Sequence, residues 1–341
     1  MVPALAVAGA LRAEGARVEF IGGERAEAEL VPAAGFELSQ IAVEGMSRTN
    51  PLHATRALWR AARAYARALV LLKELDPDAV MGGGGYVAGP VGLAAVTLRI
   101  PLVLSEADSH LGITNRVLAR GARRVCLAFP LAGRDGARYR VTGRPVPPAQ
   151  EDRAGARERL GLSAGRDCVL VFGGSLGARS INMAAIEAFG GVASPAFDVL
   201  HVTGRRDYPE LSERALPRGY DLREYLNLEQ FGDALAAADL VVARAGGSVF
   251  EIAASGTPAI LVPYPHASAD HQGENARWME RAGAAEMIPD SELNAARLAQ
   301  NVSELLADPE RLAGMARASK GLARPDAARD IAGELLEAAA R

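Results

Sequence analysis

The stretch from Arg244 to Gln272, RAGGSVFEIAASGTPAILVPYPHASADHQ, constrains this chain more than any other. The apolar run Leu240 to Ala243 leads into it and reads as a buried strand. Ala245-Gly246-Gly247-Ser248 then turns the chain into an apolar-periodic helix that carries one acid, Glu251. Pro258 to Val262 returns as a second strand. Strand, glycine turn, helix, strand is the arrangement with which α/β proteins turn helix amides toward a phosphate. Glu251, on the first helical turn, is placed to accept hydrogen bonds from ribose hydroxyls. Standing alone it would only complement the helix dipole. Asp270-His271-Gln272 opens the next helix: Asp270 suits a cap, while His271 and Gln272 can reach a sugar or a phosphate.

Alternation of strand and helix runs through the whole chain. It opens with a helix, Pro3 to Arg12, followed by a strand at Arg17 to Ile21, so the strand that normally starts a parallel α/β domain is missing. A helix at Ala26 to Ala34, a strand at Glu37 to Val43 and a long helix at Leu52 to Leu75 follow. Thr142 to Arg153, with Pro145, Pro147 and Pro148, reads as a linker, and a second strand–helix series begins after it. At 341 residues the chain fits two α/β domains better than one core. We expect two doubly wound parallel sheets with a cleft between them.

Composition excludes several classes. A net charge of −3 gives no reason to expect nucleic acid as a partner. No apolar segment reaches the roughly 18 residues of a spanning helix. Cys126 and Cys168 lie far apart in apolar runs and read as buried, reduced thiols of a cytoplasmic protein. His266 and His271 have no further ligand spacing around them, so no metal site is expected.

Two further glycine loops bear chemistry. Gly173-Gly174-Ser175-Leu176-Gly177-Ala178 lies between a strand and a helix, where close backbone approach, inward amides and the Ser175 hydroxyl suit a phosphate. No lysine follows it, and it is not a dinucleotide fingerprint; a tight strand-to-helix turn would need glycine too. Gly82 to Gly85, with Tyr86, is the second, and four consecutive glycines are too costly in chain entropy to be explained by a turn alone. On the long helix, Leu58, Ala62, Tyr65, Leu69 and Leu72 follow helical spacing, and Arg56, Arg60, Arg63 and Arg67 form a stripe on the other side. A solvated basic face explains the stripe, as does attraction to an anionic membrane surface.

Together these segments resemble the MurG family, which moves N-acetylglucosamine from its UDP donor to the lipid precursor of peptidoglycan. The resemblance rests on Gly82 to Pro90, Gly173 to Arg179, Arg244 to Ser248 with Glu251, Asp270-His271-Gln272 with Asn275-Ala276, and on Pro3 to Ala8 and Glu29 to Pro32 with Gly35. It covers essentially the whole chain. It implies the GT-B fold, two Rossmann-like domains facing a cleft. Residues 1–145 would hold the lipid acceptor, with the last helix, 326–341, packing back on them, and residues 146–325 would hold the donor. Residues matching the donor site are Asp108, Gly174, Ser175, Gly177, Leu228, Arg244, Gly246, Gly247, Ser248, Glu251, His271 and Gln272, with Glu251 on the ribose and Leu228 toward the uracil. Gly83, Gly84, Gly85 and Tyr86 fall on the acceptor side. No cofactor and no metal are implied.

This chain departs from the family in four places. Asp108 stands where the family usually has Asn, and Pro147 where it has an arginine, with Arg144 nearby. The Arg244 to Glu251 spacing is one residue shorter than in many relatives. Relatives begin with a strand and a glycine loop ending Gly-His-Val, just before the proline matching Pro3, so the family's catalytic His falls upstream of Met1 and the first sheet would lack a strand. A GTG valine codon read as a start would account for Met1, and upstream codons for the strand and Gly-His are the check. A chain beginning at Met1 is expected to have little activity.

The chemistry implied is an inverting displacement at the donor sugar by the 4-hydroxyl of the muramoyl sugar of undecaprenyl-diphospho-muramoylpentapeptide. Helix amides at the two glycine turns would stabilise the departing UDP, and Asp108 is the candidate base in this chain. The protein would act peripherally at the cytoplasmic face of the membrane. Three alternatives stay open: another GT-B glycolipid transferase, a UDP-N-acetylglucosamine epimerase that needs no acceptor, and a truncated, inert binder of the UDP-sugar.

Overall fold

The computed structural model describes residues 1–24, 26–41, 51–191, 195–267 and 270–340, with the side chains of 26 and 51–58 left aside. The chain forms two compact units, Met1–Val146 with Arg324–Arg341, and Pro147–Ala323.

The first unit opens with α1 (Val2–Ala13), β1 (Glu19–Gly22), α2 (Ala26–Ala33), β2 (Glu37–Gln40) and α3 (Pro51–Leu75). It continues with β3 (Val80–Gly82), α4 (Gly85–Leu98), β4 (Leu102–Glu106), α5 (Ile113–Leu118), β5 (Arg124–Leu127) and β6 (Tyr139–Val141). Every strand pair is parallel, but the strands fall into two sheets, β1–β2 and β3–β4–β5–β6. No described strand joins β1 to β3. Ile21 of β1 and Val87 of α4 nevertheless pack against the same apolar cluster as β3 to β5. The expected strand at Glu37 to Val43 ends at Gln40, and residues 42–43 lie outside the described part.

The buried stripe of α3 differs from the spacing read in the sequence. Ala64, Ala68, Leu71 and Leu72 are buried, Tyr65 and Leu69 pack beside them, and Ala62 is exposed. Leu and Tyr are long enough to reach the core from flanking positions, so the small alanines mark its closest approach. Arg60, Arg63 and Arg67 are exposed; the side chains of Arg56 and Leu58 lie outside the described part.

The second unit comprises α6 (Arg153–Leu160), β7 (Cys168–Phe172), α7 (Arg179–Phe189), β8 (Asp198–Val202), α8 (Tyr208–Leu211), β9 (Tyr220–Arg223) and α9 (Leu228–Ala237). After them come β10 (Leu240–Ala243), α10 (Val249–Ser255), β11 (Ala259–Leu261), α11 (His271–Arg281), β12 (Ala285–Met287), α12 (Ala295–Leu306) and α13 (Pro309–Leu322). The strands order as β12-β11-β10-β7-β8-β9, all parallel. The first strand, β7, is central and buried at every residue, as a strand covered by helices on both faces must be. Four elements were not expected: α6, α8 and the strands β9 and β12. Arg153, expected to end the linker, instead begins α6, whose start is fixed by the Asp152 carboxylate accepting from Gly155 N–H at 2.9 Å.

α14 (Ala327–Ala339) belongs to the first unit. Ile331, Ala332, Leu335 and Ala338 join Val7, Val103 and Cys126 in one cluster. Buried Glu334 receives Arg140 at 2.6 Å and a second bond from Arg124. Cys126 and Cys168 are both buried free thiols, and burial pushes each up to about 12, so neither is nucleophilic near neutral pH.

Candidate functional site

In an open parallel sheet a crevice opens at the carboxyl ends of two neighbouring strands whose following helices lie on opposite faces. In the second unit that point lies between β7 and β10, because the chain leaves β7 toward β8 on one side and reaches β10 on the other. The two loops there are Gly173–Ala178, which leads into α7, and Arg244–Ser248, which leads into α10. Glycine turns some seventy residues apart in sequence thus become neighbours through the pairing of Phe172 with Ala243.

The Gly173–Ala178 loop closes on itself through Gly177 N–H donating to Gly174 O at 2.9 Å. Ser175 is exposed on its outer side, and Leu176 is 70% exposed. Gly177 has a φ of +82°, and a Cβ there would sit 2.0 Å from Thr203 O, so only glycine lets this loop lie on the end of β8.

In the second loop Gly246, Gly247 and Ser248 are partly exposed and Ala245 is buried. Gln272 from α11 comes alongside: its Nε2 lies 3.9 Å from the position of a Cβ on Gly246, and its Oε1 accepts from Tyr264 N–H at 3.0 Å. Asn275, one turn on, donates from Nδ2 to Ala245 O at 2.9 Å and is 3% exposed. The turn is thus braced by Asn275, with Gln272 lying beside it; of the two, only Gln272 is expected in the site from the sequence. His271 is half-buried beside Gln272. Asp270 pairs with Arg277 at 2.5 Å and makes no side-chain capping bond to α11.

Arg244 reaches away from the loop's open side. Its Nη1 donates to Val262 O and Pro263 O, both at 3.1 Å, and to Asp290 Oδ1 at 2.6 Å; its Nη2 donates to Ser180 Oγ at 2.7 Å. The guanidinium also stacks 5.5 Å over the Tyr264 ring. Arg244 therefore ties β10, the end of β11, α7 and the short turn Asp290–Glu292 together. Ser180 and Asp290 carry no local signal that would mark them as its partners.

Glu251, on the first turn of α10, shares a pocket with Leu228, Phe231, Pro147, Pro148 and Gln150. Leu228 opens α9 and is 57% exposed, held there by the capping box of Asn227 and Gln230. Phe231 stacks edge-on against Phe172 of β7, at 5.1 Å between centroids. An acid beside an exposed apolar wall can take a ribose by its hydroxyls and a planar base by its face. Pro148, read in the sequence only as linker, and Pro147, which stands where the family has an arginine, form part of this wall.

In the first unit the four-glycine run divides between elements. Gly82 ends β3 and Gly85 begins α4, leaving Gly83 and Gly84 as the turn. Gly84 and Gly85 have φ of +79° and +80°, and a Cβ on Gly82 would meet Leu104 Cδ2 at 2.7 Å, whereas Gly83 has neither constraint, so sterics account for three of the four glycines. Tyr86 is 61% exposed. Beneath this turn, Glu106 is buried and accepts from Gly112 N–H at 2.9 Å, Asn115 Nδ2 at 3.0 Å and Asp108 N–H at 3.2 Å. Asp108 itself is exposed. Glu106, the last residue of β4, and Asn115 hold the polar loop that carries Asp108.

The glycosyltransferase family 28 N-terminal domain matches residues 1–127, and the family 28 C-terminal domain matches residues 168–331. A UDP-N-acetylglucosamine–N-acetylmuramyl-(pentapeptide) pyrophosphoryl-undecaprenol N-acetylglucosamine transferase of Rubrobacter xylanophilus is 43% identical over 97% of this chain and 98% of its own. The same transferase of Moorella thermoacetica is 43% identical over 95% of this chain and 92% of its own. The crystal structure of Acinetobacter baumannii MurG superposes with a TM-score of 0.77 at 29% identity, covering 98% of this chain and 95% of that one.

The chain belongs to the MurG family.

The two family 28 domain matches span both candidate regions: Gly83–Tyr86 and Asp108 fall within the N-terminal match, and Gly174 to Gln272 within the C-terminal one. The parallel two-unit architecture is the GT-B fold of that family.

Proposed function

We propose that the protein transfers N-acetylglucosamine from UDP-N-acetylglucosamine to the 4-hydroxyl of the muramoyl sugar of undecaprenyl-diphospho-muramoylpentapeptide, with inversion, in peptidoglycan synthesis. One observation carries the reading: the Gly173–Ala178 and Arg244–Ser248 loops meet at the switch point of the second sheet, next to the pocket of Glu251 and Leu228. That combination suits a nucleoside diphosphate, with phosphates on the loop amides, ribose on Glu251 and base against Leu228. Gly246, Gly247 and Ser248 complete the diphosphate side, and Gln272 and His271 face the sugar.

In the step itself the acceptor oxygen attacks C1 of the donor sugar. The C1–oxygen bond to the β-phosphate breaks, and UDP leaves with the electron pair. The N–H groups at the start of α7, with Ser175, oppose the charge that grows on the leaving diphosphate. The acceptor proton passes to a base, for which Asp108 is this chain's candidate, placed by Glu106. Gly83, Gly84, Gly85 and Tyr86 serve the acceptor side of the first unit.

The acceptor is a membrane lipid, and no helix among the described residues is long and apolar enough to cross a membrane. Peripheral attachment fits the face of α3 that carries Arg60, Arg63 and Arg67 beside Trp59, which is 63% exposed. Cations with an interfacial aromatic suit an anionic membrane surface, and nothing in the charge of the chain suits nucleic acid. Arg60, Arg63 and Arg67 replaced together by Gln should abolish co-sedimentation with anionic vesicles while leaving donor binding intact.

The decisive experiment measures UDP release with and without a prenyl-diphospho-muramoylpentapeptide. Release that depends on the acceptor, with the disaccharide formed as a β-linkage, supports the assignment. Epimerisation of the donor without acceptor, or no dependence on the muramoyl sugar, would sink it.

A further inference from the structure

A buried polar chain lies behind the Gly173–Ala178 loop, and nothing in the transfer chemistry uses it. Tyr220 on β9, His201 on β8 and Asn182 on α7 are linked side chain to side chain. His201 Nδ1 is 2.8 Å from Tyr220 Oη, and His201 Nε2 is 3.0 Å from Asn182 Oδ1. His201 and Asn182 are both 0% exposed.

The direction of every bond follows from the far end. Asn182 Nδ2 donates to Thr203 O at 2.9 Å and to Asp207 Oδ2 at 2.8 Å. Asp207 is 3% exposed; burial opposes its ionisation, but hydrogen bonds from Arg206 and Asn182 hold its carboxyl below the usual value. A carboxylate only accepts, so the Asn182 amide cannot be reversed. Its Oδ1 must therefore accept, which places the proton of His201 on Nε2 and leaves Nδ1 to accept from the Tyr220 hydroxyl. Burial keeps the imidazole neutral, pushing it down to about 3.

The chain of donors ends on the bed of the glycine loop. Thr203 O faces Gly177, and a Cβ on Gly204 would lie 2.2 Å from Gly177 N, so the backbones at 177 and 204 are in direct contact. Arg205 N–H also reaches Ser175 O at 3.4 Å. Whatever fixes Thr203 and Gly204 fixes the amides of residues 174–177.

We propose that His201, in its Nε2-protonated form, is a positioning residue for the Gly174–Gly177 loop, acting through Asn182 and Thr203 on the loop's grip of a diphosphate. This rests on the reading of that loop as the donor-diphosphate site. His201 touches no substrate; it holds one amide in one orientation.

The test compares UDP with uridine, which lacks the phosphates, by calorimetry on folded His201→Leu, His201→Gln and Tyr220→Phe variants. Leucine removes the Nε2 donor; glutamine can still donate to Asn182; phenylalanine leaves Nδ1 without its donor but keeps the bond from Nε2 to Asn182. The expected result is a UDP affinity lowered roughly tenfold in His201→Leu, about one hydrogen bond's worth, less in Tyr220→Phe, and largely recovered in His201→Gln, with uridine affinity unchanged throughout. Should His201→Leu not fold, His201→Met, which also lacks a donor to Asn182, carries the same comparison. UDP affinity equal to the parent in folded variants, or equal losses for UDP and uridine, would overturn the assignment. A parent chain that binds no UDP would overturn the donor reading first, before any variant is compared.

Discussion

Arg244 Nη1 lies 2.6 Å from Asp290 Oδ1, a pairing across 46 residues that turns the arginine inward, onto the scaffold of its own loop. Its side chain is 12% exposed, and it also donates to Val262 O, Pro263 O and Ser180 Oγ. Arg244→Lys keeps the charge but loses the planar fork that serves Ser180 and Asp290 together. Arg244→Ala leaves Asp290 half-buried without its main partner and should cost on the order of 2–3 kcal/mol of stability, read as a lower midpoint in urea. Donor KM should rise in both variants, because the turn Gly246–Ser248 hangs from Arg244. A folded Arg244→Ala with unchanged stability would show that this brace carries no weight.

Glu251 is expected to bind the donor through ribose hydroxyls, and a double comparison isolates that contact. Glu251→Ala should weaken UDP binding roughly 10- to 100-fold, the range for a hydrogen bond to a charged group. Replacing UDP by its 2′-deoxy form should weaken binding to the parent by a similar factor yet change binding to Glu251→Ala little. Independent, additive losses would place the ribose elsewhere.

How much of this was legible beforehand follows from what sequence patterns report. Buried parallel strands such as Cys168–Phe172 appear as unbroken apolar runs, and glycine must stand where a loop crosses a strand end at positive φ, as Gly174 and Gly177 do, so the loop at 173–177 announced itself; the loop at 244–248 has no glycine at positive φ and showed itself only as small residues between an apolar run and a helix. Period and composition say nothing of which distant residue a side chain meets. Arg244 with Asp290 and Asn182 with His201 became pairs only through the strand order β11-β10-β7-β8. A polar residue inside an apolar strand, as His201 between Leu200 and Val202, was the available signal for the buried network. α6 was missed because its residues are mostly polar, while its stops, Asp152 at one end and Gly161 at φ +74° at the other, were in plain view. The stripe of α3 was placed on its large side chains, although the small Ala64 and Ala68 lie deepest.

The two positive-φ glycines of the first donor loop should respond differently to the same change. Gly174, at φ +90°, has nothing within 4 Å of a new Cβ, so Gly174→Ala carries only the conformational cost, about 1–2 kcal/mol. Gly177→Ala adds a 2.0 Å approach to Thr203 O, a backbone atom that cannot swing aside. Together the strain and overpacking come to roughly 2–5 kcal/mol. Thermal melts should rank parent, Gly174→Ala and Gly177→Ala in that order. Equal melting of the two variants would mean the loop does not rest on Thr203.

The last helix makes the first unit acid-sensitive in a definable way. Burial alone would raise the carboxyl of Glu334, but hydrogen bonds from Arg140 and Arg124 outweigh it and hold it below the ordinary glutamate value. Asp330 and Glu337, on the same helix, lie 3.9 Å from Arg140 and 4.0 Å from Arg124, and they share those cations. Because the folded value is depressed, the unfolded chain binds the proton first as pH falls. The stabilisation is therefore complete above the unfolded value of about 4.3 and is lost as pH drops through the lower folded value. Glu334→Gln should lower stability at pH 7 and flatten the acid limb below pH of about 4.5. A variant whose stability falls in acid as steeply as the parent's would assign the sensitivity to Asp330 and Glu337 instead.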